Sequence, residues 1–381
     1  MNLSYWEIKS WFTNIDFTIV GSGIVGLSCA LHLKELYPKS NILVLEKGLL
    51  PQGASTKNAG FACFGSLSEL LDDLKSHTEE DVIELVKKRV EGLKLLRKTL
   101  GDQSIGFKNY GGFELFNESD HALYNDCLAN MEVVNKMLQP IFSSDVFSLK
   151  PNSFKFKKIK EQYVFNPFEG QLNTGKMMEA LLLRVQTKGI KILNNVTVEA
   201  FEDGLDWVKV KTNFFEFSTS KLFLATNGFA SQLIPVDVKP SRAQVLVTKP
   251  IKNLHIKGTF HLDRGYYYFR NVDNRILLGG GRNLDFKGEE TTVFNETEHI
   301  QLAFENLLKT IILPETTFEI DHRWSGIMGL STRNDSNSEL LGKKKPIVKQ
   351  LSNHVFCGVR LGGMGIAIGS LVGKELAQLL G

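Results

Sequence analysis

The sequence predicts an α/β fold in which a helix-covered parallel layer is interleaved with a second, antiparallel, β-rich α+β part. Three observations predict it. A short apolar run, Asp16 to Val20, enters a glycine triplet and then an amphipathic helix. A second glycine cluster, Gly362 to Gly365, opens the last helix. Between the two, short strand patterns follow one another with only occasional helical periodicity, which is the order of a mixed fold.

The first element carries the most information. Gly21, Gly23 and Gly26 are spaced G-x-G-x-x-G. A helix pattern runs from Ile24 to Leu36, and a second apolar run, Asn41 to Leu45, ends at Glu46. This is a Rossmann-like βαβ unit for a dinucleotide. Gly21 permits the tight turn, Gly23 the approach of backbone N–H groups to a pyrophosphate, and Gly26 close helix–sheet contact. Ile24 and Val25 open the helix, and Glu46, followed by Lys47, stands where an acid accepts from ribose hydroxyls.

Next comes a loop of small and polar residues, Gly48 to Ser66, suited to a cofactor contact. Thr78 reads as the cap of a helix carrying Val82, Leu85, Val86, Val90, Leu93 and Leu96, closed by Gly101. Ile105 to Phe116 reads as strand–turn–strand, and Asp120 to Leu138 as a helix. Phe154 to Phe168 reads as an edge strand with Lys155, Lys157, Lys158 and Lys160 on its wet face. A helix from Thr174 to Gln186 precedes strands at Ile190 to Leu193, Thr197 to Phe201, Trp207 to Lys211, Phe214 to Phe217 and Leu222 to Ala225. Further strands fit Arg242 to Thr248, Gly258 to His261, Gly265 to Arg270, Arg275 to Gly281, Phe318 to Met328 and Val355 to Cys357. Helices fit Glu296 to Lys309 and Ile366 to Leu380. The division this suggests is a nucleotide part from 1–75, 150–230 and 350–381, and a substrate part from 76–149 and 231–349.

The chain has 381 residues, 43% hydrophobic and 23% charged, enough for two substantial cores. A net charge of only +3 argues against a dedicated nucleic-acid binder. The four cysteines, Cys29, Cys63, Cys127 and Cys357, form no C-x-x-C pair, so neither zinc nor a disulfide framework is expected. A reducing cytoplasm is the expected setting. No signal peptide or membrane span is expected, and Trp6 and Trp11 are expected to anchor the first residues on the domain surface.

A nicotinamide dinucleotide needs only the first glycine cluster. A flavin dinucleotide is longer, and the second cluster places a helix N-terminus where charge develops on a reduced flavin. At this point the chain resembles the D-amino-acid oxidase/glycine oxidase/sarcosine oxidase (DAO) superfamily. The residues carrying the likeness are Ile19 to Gly26, the acid in Val44-Leu45-Glu46, and Gly53-Ala54-Ser55-Thr56-Lys57-Asn58-Ala59-Gly60. They continue with Ala225-Thr226-Asn227-Gly228, Tyr267 to Arg270, Leu277 to Arg282, Trp324 to Met328 and the last glycine-rich helix.

The resemblance implies a Rossmann-like FAD-binding domain of GR2 type beside an antiparallel substrate domain. It implies that Gly21, Gly23, Gly26 and Glu46 hold the ADP half of FAD. Ser55, Thr56, Asn58 and Ala59 would lie along the pyrophosphate and flavin, and Val198 against adenine. Thr226, Asn227 and Gly228 close the nucleotide strand, and Gly362, Gly363, Met364, Gly365 and Ile366 would face the ribityl chain and flavin. The implied reaction is hydride transfer from the α-carbon of an amino acid or secondary amine to flavin N5, with hydrolysis of the imine. Oxygen or another acceptor would take the electrons. The chemistry asks for a group that fixes the substrate rather than for a triad. Tyr268 and Arg270 share a strand face and are the expected clamp, with Arg323, Arg360 and the Arg242/Gln244 pair in reserve. His261 and His322 are read as structural. The sequence departs from the family at Ser331 to Lys345, a longer polar stretch. Two other functions remain open: a flavin enzyme acting on an aminomethyl group of tRNA, with Lys155 to Lys160 and Lys343 to Lys345 as its footprint, and a flavin-bound interaction protein without turnover.

Overall fold

The computed structural model describes residues 2–331 and 345–381. Elements run α1 (Tyr5–Glu7), β1 (Ile15–Val20), α2 (Ile24–Leu36), β2 (Ile42–Leu45), α3 (Ala54–Lys57) and β3 (Phe61–Ala62). Then come α4 (Leu67–Leu74), α5 (Glu79–Leu100), β4 (Gly112–Leu115), α6 (His121–Leu138), β5 (Ser148–Pro151), β6 (Gln162–Asn166) and β7 (Gly170–Gln171). Next are α7 (Thr174–Thr187), β8 (Lys191–Leu193), β9 (Val198–Asp203), β10 (Val208–Thr212) and β11 (Glu216–Leu224). The remainder is β12 (Lys239–Thr248), β13 (Thr259–Leu262), β14 (Tyr267–Val272), β15 (Arg275–Gly280), α8 (Glu298–Leu307), β16 (Ile320–Leu330), β17 (Ile347–Gln350), β18 (Val355–Val359) and α9 (Gly365–Gln378).

The α/β fold expected from the sequence is the one observed. The first sheet runs β17-β18-β11-β1-β2-β8, with β9 and β10 joined at β11. Its centre, β18-β11-β1-β2-β8, is parallel. Strands buried on both faces read as continuous apolar runs, which is why Ile15–Val20 and Ile42–Leu45 lack alternation. Helices α2 and α9 lie together on one face, buried with α7 in a core that includes Ile19, Leu27, Phe223 and Leu376. At their crossing a Cβ on Gly373 would stand 2.6 Å from the Val25 carbonyl oxygen, so the two backbones touch.

The second sheet runs β16-β12-β15-β14-β13-β4-β6-β5. Alternation sorts its two faces. Phe260 and Phe269 stack at 4.6 Å on one face, among Phe113, Phe156 and Leu246. Val245, His261 and Tyr268 point to the other, toward the first sheet.

Several expectations are corrected. The segments 148–151 and 162–166 pair in the second sheet, not in the nucleotide layer, while α5 packs on α9 and α7. The stretch from Ile105 to Phe116 yields only β4, because left-handed bends at Gly106 and Gly111 (φ 60° and 81°) break its first arm. Lys155 and Lys158 are likewise left-handed (φ 60° and 55°), so Phe154 to Ile159 is a turn whose phenylalanines enter the aromatic core. Phe214 to Phe217 and Leu222 to Ala225 merge into the single strand β11. Trp11 packs against the first domain, but Trp6 is 70% exposed and anchors nothing. Thr78 caps α5 as expected, accepting from the Asp81 N–H. No helix among the described residues is long and apolar enough to cross a membrane. The polar stretch at Ser331 to Lys345 lies almost wholly outside the described residues.

Candidate functional site

A single cleft of about 1030 Å³ runs between the two sheets. It starts at Glu46, Lys47 and Val198, passes Gly21, Gly23, Ile24 and Val25, and continues along Ser55, Asn58 and Ala59. Thr226, Asn227 and Gly228 form one wall, and Gly362, Gly363, Met364, Gly365 and Ile366 the next. The far end lies under the second sheet, at Val245, His261 and Tyr268. Residues more than 300 positions apart in sequence are thereby brought to one surface, because β1, β11 and β18 are neighbours whose C-terminal ends all open into it.

Two long helices point their N-termini at this cleft. The residues before them, Gly23 for α2 and Met364 for α9, supply no side-chain cap of their own. The first-turn N–H groups and positive dipole ends of both helices face the cleft. Glu46 organises the turn beneath α2. Its carboxylate accepts from the Ser22 N–H (3.0 Å), the Ser22 hydroxyl (2.7 Å) and the Gly48 N–H (2.9 Å). Ser55 Oγ accepts from the Ile24 N–H at 2.9 Å, tying the 53–60 loop to the motif. Asn58 braces that loop from within, and its Oδ1 accepts from Gly60 N–H and Thr174 Oγ1. Asn227 Oδ1 accepts from the N–H groups of Arg360 and Leu361, joining the end of β11 to the second glycine cluster.

Three expected site residues do not line the cleft. Gly26 lies beneath it, where a Cβ would meet the Gly21 carbonyl oxygen at 1.9 Å. Thr56 spends its hydroxyl on the Pro51 carbonyl at 2.6 Å. Arg270 is the larger correction. It is 4% exposed and donates to the carbonyls of Ala59 and Leu172 (3.0 Å to the latter), so its guanidinium braces the loop from behind. Burial pushes its pKa down to about 10. The strand face shared by Tyr268 and Arg270 is real, but the 59–60 loop covers the arginine's end of it. Among the reserves, Arg242 is sealed against Glu289 at 2.6 Å, Arg323 pairs with Glu305, and Arg360 pairs with Asp237.

What sequence reasoning passed over is His261. It lies opposite Tyr268 across β13 and β14, and Phe61 sets its ring edge against both, at centroid distances of 5.4 Å. His261 Nε2 is 2.9 Å from Glu169 Oε2, which also accepts from Thr259 Oγ1 at 2.9 Å. His261 and Glu169 are 5% and 1% exposed. Burial opposes charge on the imidazole, but Glu169, Glu69 and Glu114 outweigh it and hold the pKa up at about 9. A cation is therefore fixed at the far end of the cleft at neutral pH. Beside it, burial raises the Tyr268 phenol to about 12, so that group remains an O–H donor. Glu169 is 92 positions from His261 and reaches it from the connection between β6 and β7. Among the described residues no cluster suited to a metal ion occurs.

The comparisons agree with this geometry. A family model described as FAD dependent oxidoreductase matches residues 16–379. The chain is 23% identical to gamma-glutamylputrescine oxidoreductase of Escherichia coli (strain K12), over 96% of this chain and 83% of that protein. Its fold is similar to L-proline dehydrogenase from P. horikoshii, with a TM-score of 0.73 and 18% identity over 96% and 93% of the two chains. It is also similar to glycine oxidase from Bacillus cereus ATCC 14579, with a TM-score of 0.70 and 16% identity over 96% and 94%.

Proposed function

The chain belongs to the FAD-dependent oxidoreductase family, and from that premise we propose that it oxidises the C–N bond of an amino acid or secondary amine. FAD is its cofactor. The observation that carries the reading is the continuous cleft with the N-termini of α2 and α9 on one side and Tyr268 with His261 at the far end. The similar proteins named above are, by their names, a γ-glutamylated amine oxidoreductase and enzymes of proline and glycine, which supports an amine-bearing substrate.

The residues fit the cofactor. Thr226 Oγ1 is buried in the cleft wall without a hydrogen-bond partner, and side-chain space is open at Gly362 and Gly363. Gly21, Gly23 and the start of α2 would hold the pyrophosphate, Glu46 the ribose, and Val198 the adenine. Lys47, Ser55, Asn58, Ala59, Thr226, Asn227 and Gly228 would line the middle, and Gly362 to Ile366 the flavin end. Gly26 and Thr56 act one layer back, by packing and by bracing the loop. FAD, when bound, would supply the two-electron acceptor, taking both electrons with the hydride that leaves the substrate carbon.

The chain's own part is orientation and electrostatics. Tyr268 donates its O–H to a substrate oxygen. His261, kept charged by Glu169, places positive charge at the reacting end. Phe61, Val245 and Met364 exclude water there. The substrate amine reacts unprotonated, so the rate is expected to rise with pH until that amine is neutral.

Anaerobic mixing of the FAD-loaded protein with D- and L-amino acids, N-methyl amines and polyamines tests the reading. Bleaching of the flavin absorbance by at least one of them is expected, and no bleaching across the panel removes the proposal. Readmitted air then separates oxidase from dehydrogenase. Glu46→Ala is expected to weaken FAD retention on the order of 30-fold, since hydrogen bonds to a charged group carry about 1.5–3 kcal/mol. Flavin fluorescence released on dilution measures it.

The RNA reading gains no footprint. Lys157 pairs with Glu315, Lys160 donates to the Glu118 carbonyl, and Lys345 is held by Asp81 and Glu84 at 2.8 Å each. Lys343 and Lys344 lie outside the described residues.

A further inference from the structure

We propose that Met364 is a peroxide-sensitive site, where hydrogen peroxide converts the thioether to its sulfoxide and so loosens the hold on FAD. Oxygen that takes two electrons and two protons from a reduced flavin becomes hydrogen peroxide. The oxidant therefore forms within the cleft whenever air is the acceptor.

The second glycine cluster sets the side chain out for this reaction. Met364 is the residue before α9, and Gly363 and Gly365 on either side carry nothing to cover it. Even a Cβ at Gly363 would meet no atom within 4 Å. Met364 is half-buried and lines the cleft. Its sulfur meets the Cys63 thiol, which donates to it at 3.8 Å. Among the described residues the other methionines are placed differently. Met131 and Met137 on α6, and Met177 and Met178 on α7, pack in apolar cores. Met328, on β16, is the other one that reaches the cleft.

The two sulfurs that meet here differ in reactivity. Cys63 is 6% exposed, and burial, with Glu169 and Glu69 nearby, holds its thiol well above the usual cysteine range. Peroxide attacks a thiolate and spares a protonated thiol. A thioether has no proton to lose, so its reactivity does not wait on ionisation. In the step, the Met364 sulfur gives an electron pair to one peroxide oxygen. The O–O bond breaks, and the second oxygen leaves as water with both protons.

The product changes what this end of the cleft offers. A thioether is an apolar wall, whereas a sulfoxide is polar and a good acceptor. Donors stand beside it. The Cys63 S–H already points at the sulfur. The N–H groups of Gly365, Ile366 and Ala367, in the first turn of α9, have no acceptor among the described residues. Those are the groups proposed to face the flavin. An oxygen carried by the chain itself competes with the cofactor for them, and it draws water to a corner that Met364 keeps dry.

The test treats FAD-loaded protein with a few equivalents of hydrogen peroxide and no amine, so its outcome is separate from that of amine oxidation. Peptide mass spectrometry is expected to find the added oxygen on Met364 ahead of Met177 and Met178, on the order of 10-fold faster. Flavin fluorescence released on dilution is expected to rise in step, with FAD retention weakened on the order of 10-fold. Methionine sulfoxide reductase is expected to restore retention in the wild-type protein. Met364→Leu, which keeps the volume without the sulfur, is expected to hold its own starting flavin through the same treatment. Full oxidation of Met364 with retention unchanged overturns the proposal. So does oxygen found on Cys63 or Met328 in place of Met364, or flavin lost from Met364→Leu as fast as from wild type. If the leucine variant does not fold, reversal by the reductase decides, and flavin that stays lost after Met364 is reduced overturns the proposal.

Discussion

Gly26→Ala is expected to yield no protein that is both folded and FAD-retaining. The added Cβ would stand 1.9 Å from the Gly21 carbonyl oxygen and 3.1 Å from the Ile19 side chain. Neither neighbour can yield. Gly21 is pinned by its N–H bond to the Leu45 carbonyl at 2.8 Å, and Ile19 is fully buried in the central strand. Relief therefore requires α2 to move off the sheet, taking its N-terminus away from the cleft and breaking its contact with α9. Overpacking of a well-filled core costs about 1–3 kcal/mol, and a backbone clash of this depth belongs above that range. Native domains have only about 5–15 kcal/mol to lose. The urea midpoint and the flavin content of purified protein measure the effect. A variant with wild-type midpoint and full flavin would contradict the assigned packing.

Glu169→Ala is expected to destabilise the protein by about 3–5 kcal/mol, because it strands the His261 cation in a nearly closed site. It also leaves the Thr259 hydroxyl with only the longer bond to the Gly111 carbonyl, at 3.3 Å. The same pair makes wild-type stability depend on pH. The folded pKa of His261, about 9, lies above the ordinary value of 6.5 that it recovers on unfolding. Its stabilisation is therefore complete below about pH 6.5 and is lost as pH rises through 9, by up to about 3 kcal/mol. Groups facing this imidazole are Glu169, Glu114 and Glu69. Glu114 is raised by its own burial and opposed by hydrogen bonds from Ser68 and Ser66. Glu169→Gln is expected to remove the slope between pH 6.5 and 9 and to lower the imidazole pKa. Urea unfolding across that interval, with the His261 ring resonances followed by NMR, reports both. An unchanged slope in Glu169→Gln would assign the pH dependence elsewhere.

Legibility in the sequence followed locality. The helix from Ile24 to Leu36 was readable to the residue, since glycine cap, apolar strand and periodicity sit within one window. Most residues that line the cleft were readable for the same reason, coming from three short glycine-rich stretches and one strand end. The substrate end was not, since it is assembled across strands. Tyr268 and Arg270 do share a face, but whether a loop covers one end depends on Ala59 and Leu172, far away in sequence. His261 read as a lone histidine because its partner arrives from the segment before β7. Residues 150–166 were placed with the nucleotide part because strand pattern reports a strand and not the sheet it joins.

The contact between α2 and α9 has a consequence for biosynthesis. The glycine motif and α2 leave the ribosome long before β18 and α9 exist. Until then the face of α2 that meets Gly373 is bare, β11 lacks its outer neighbour, and the second glycine cluster has not been made. A nascent chain can display the nucleotide fingerprint but has no site in which to retain the whole cofactor. On the proposed placement of FAD, loading is expected to follow translation of residues 355–378, and ribosome-bound chains stalled before them are expected to carry no flavin. Their exposed apolar α2 surface makes them clients for chaperones in the interval.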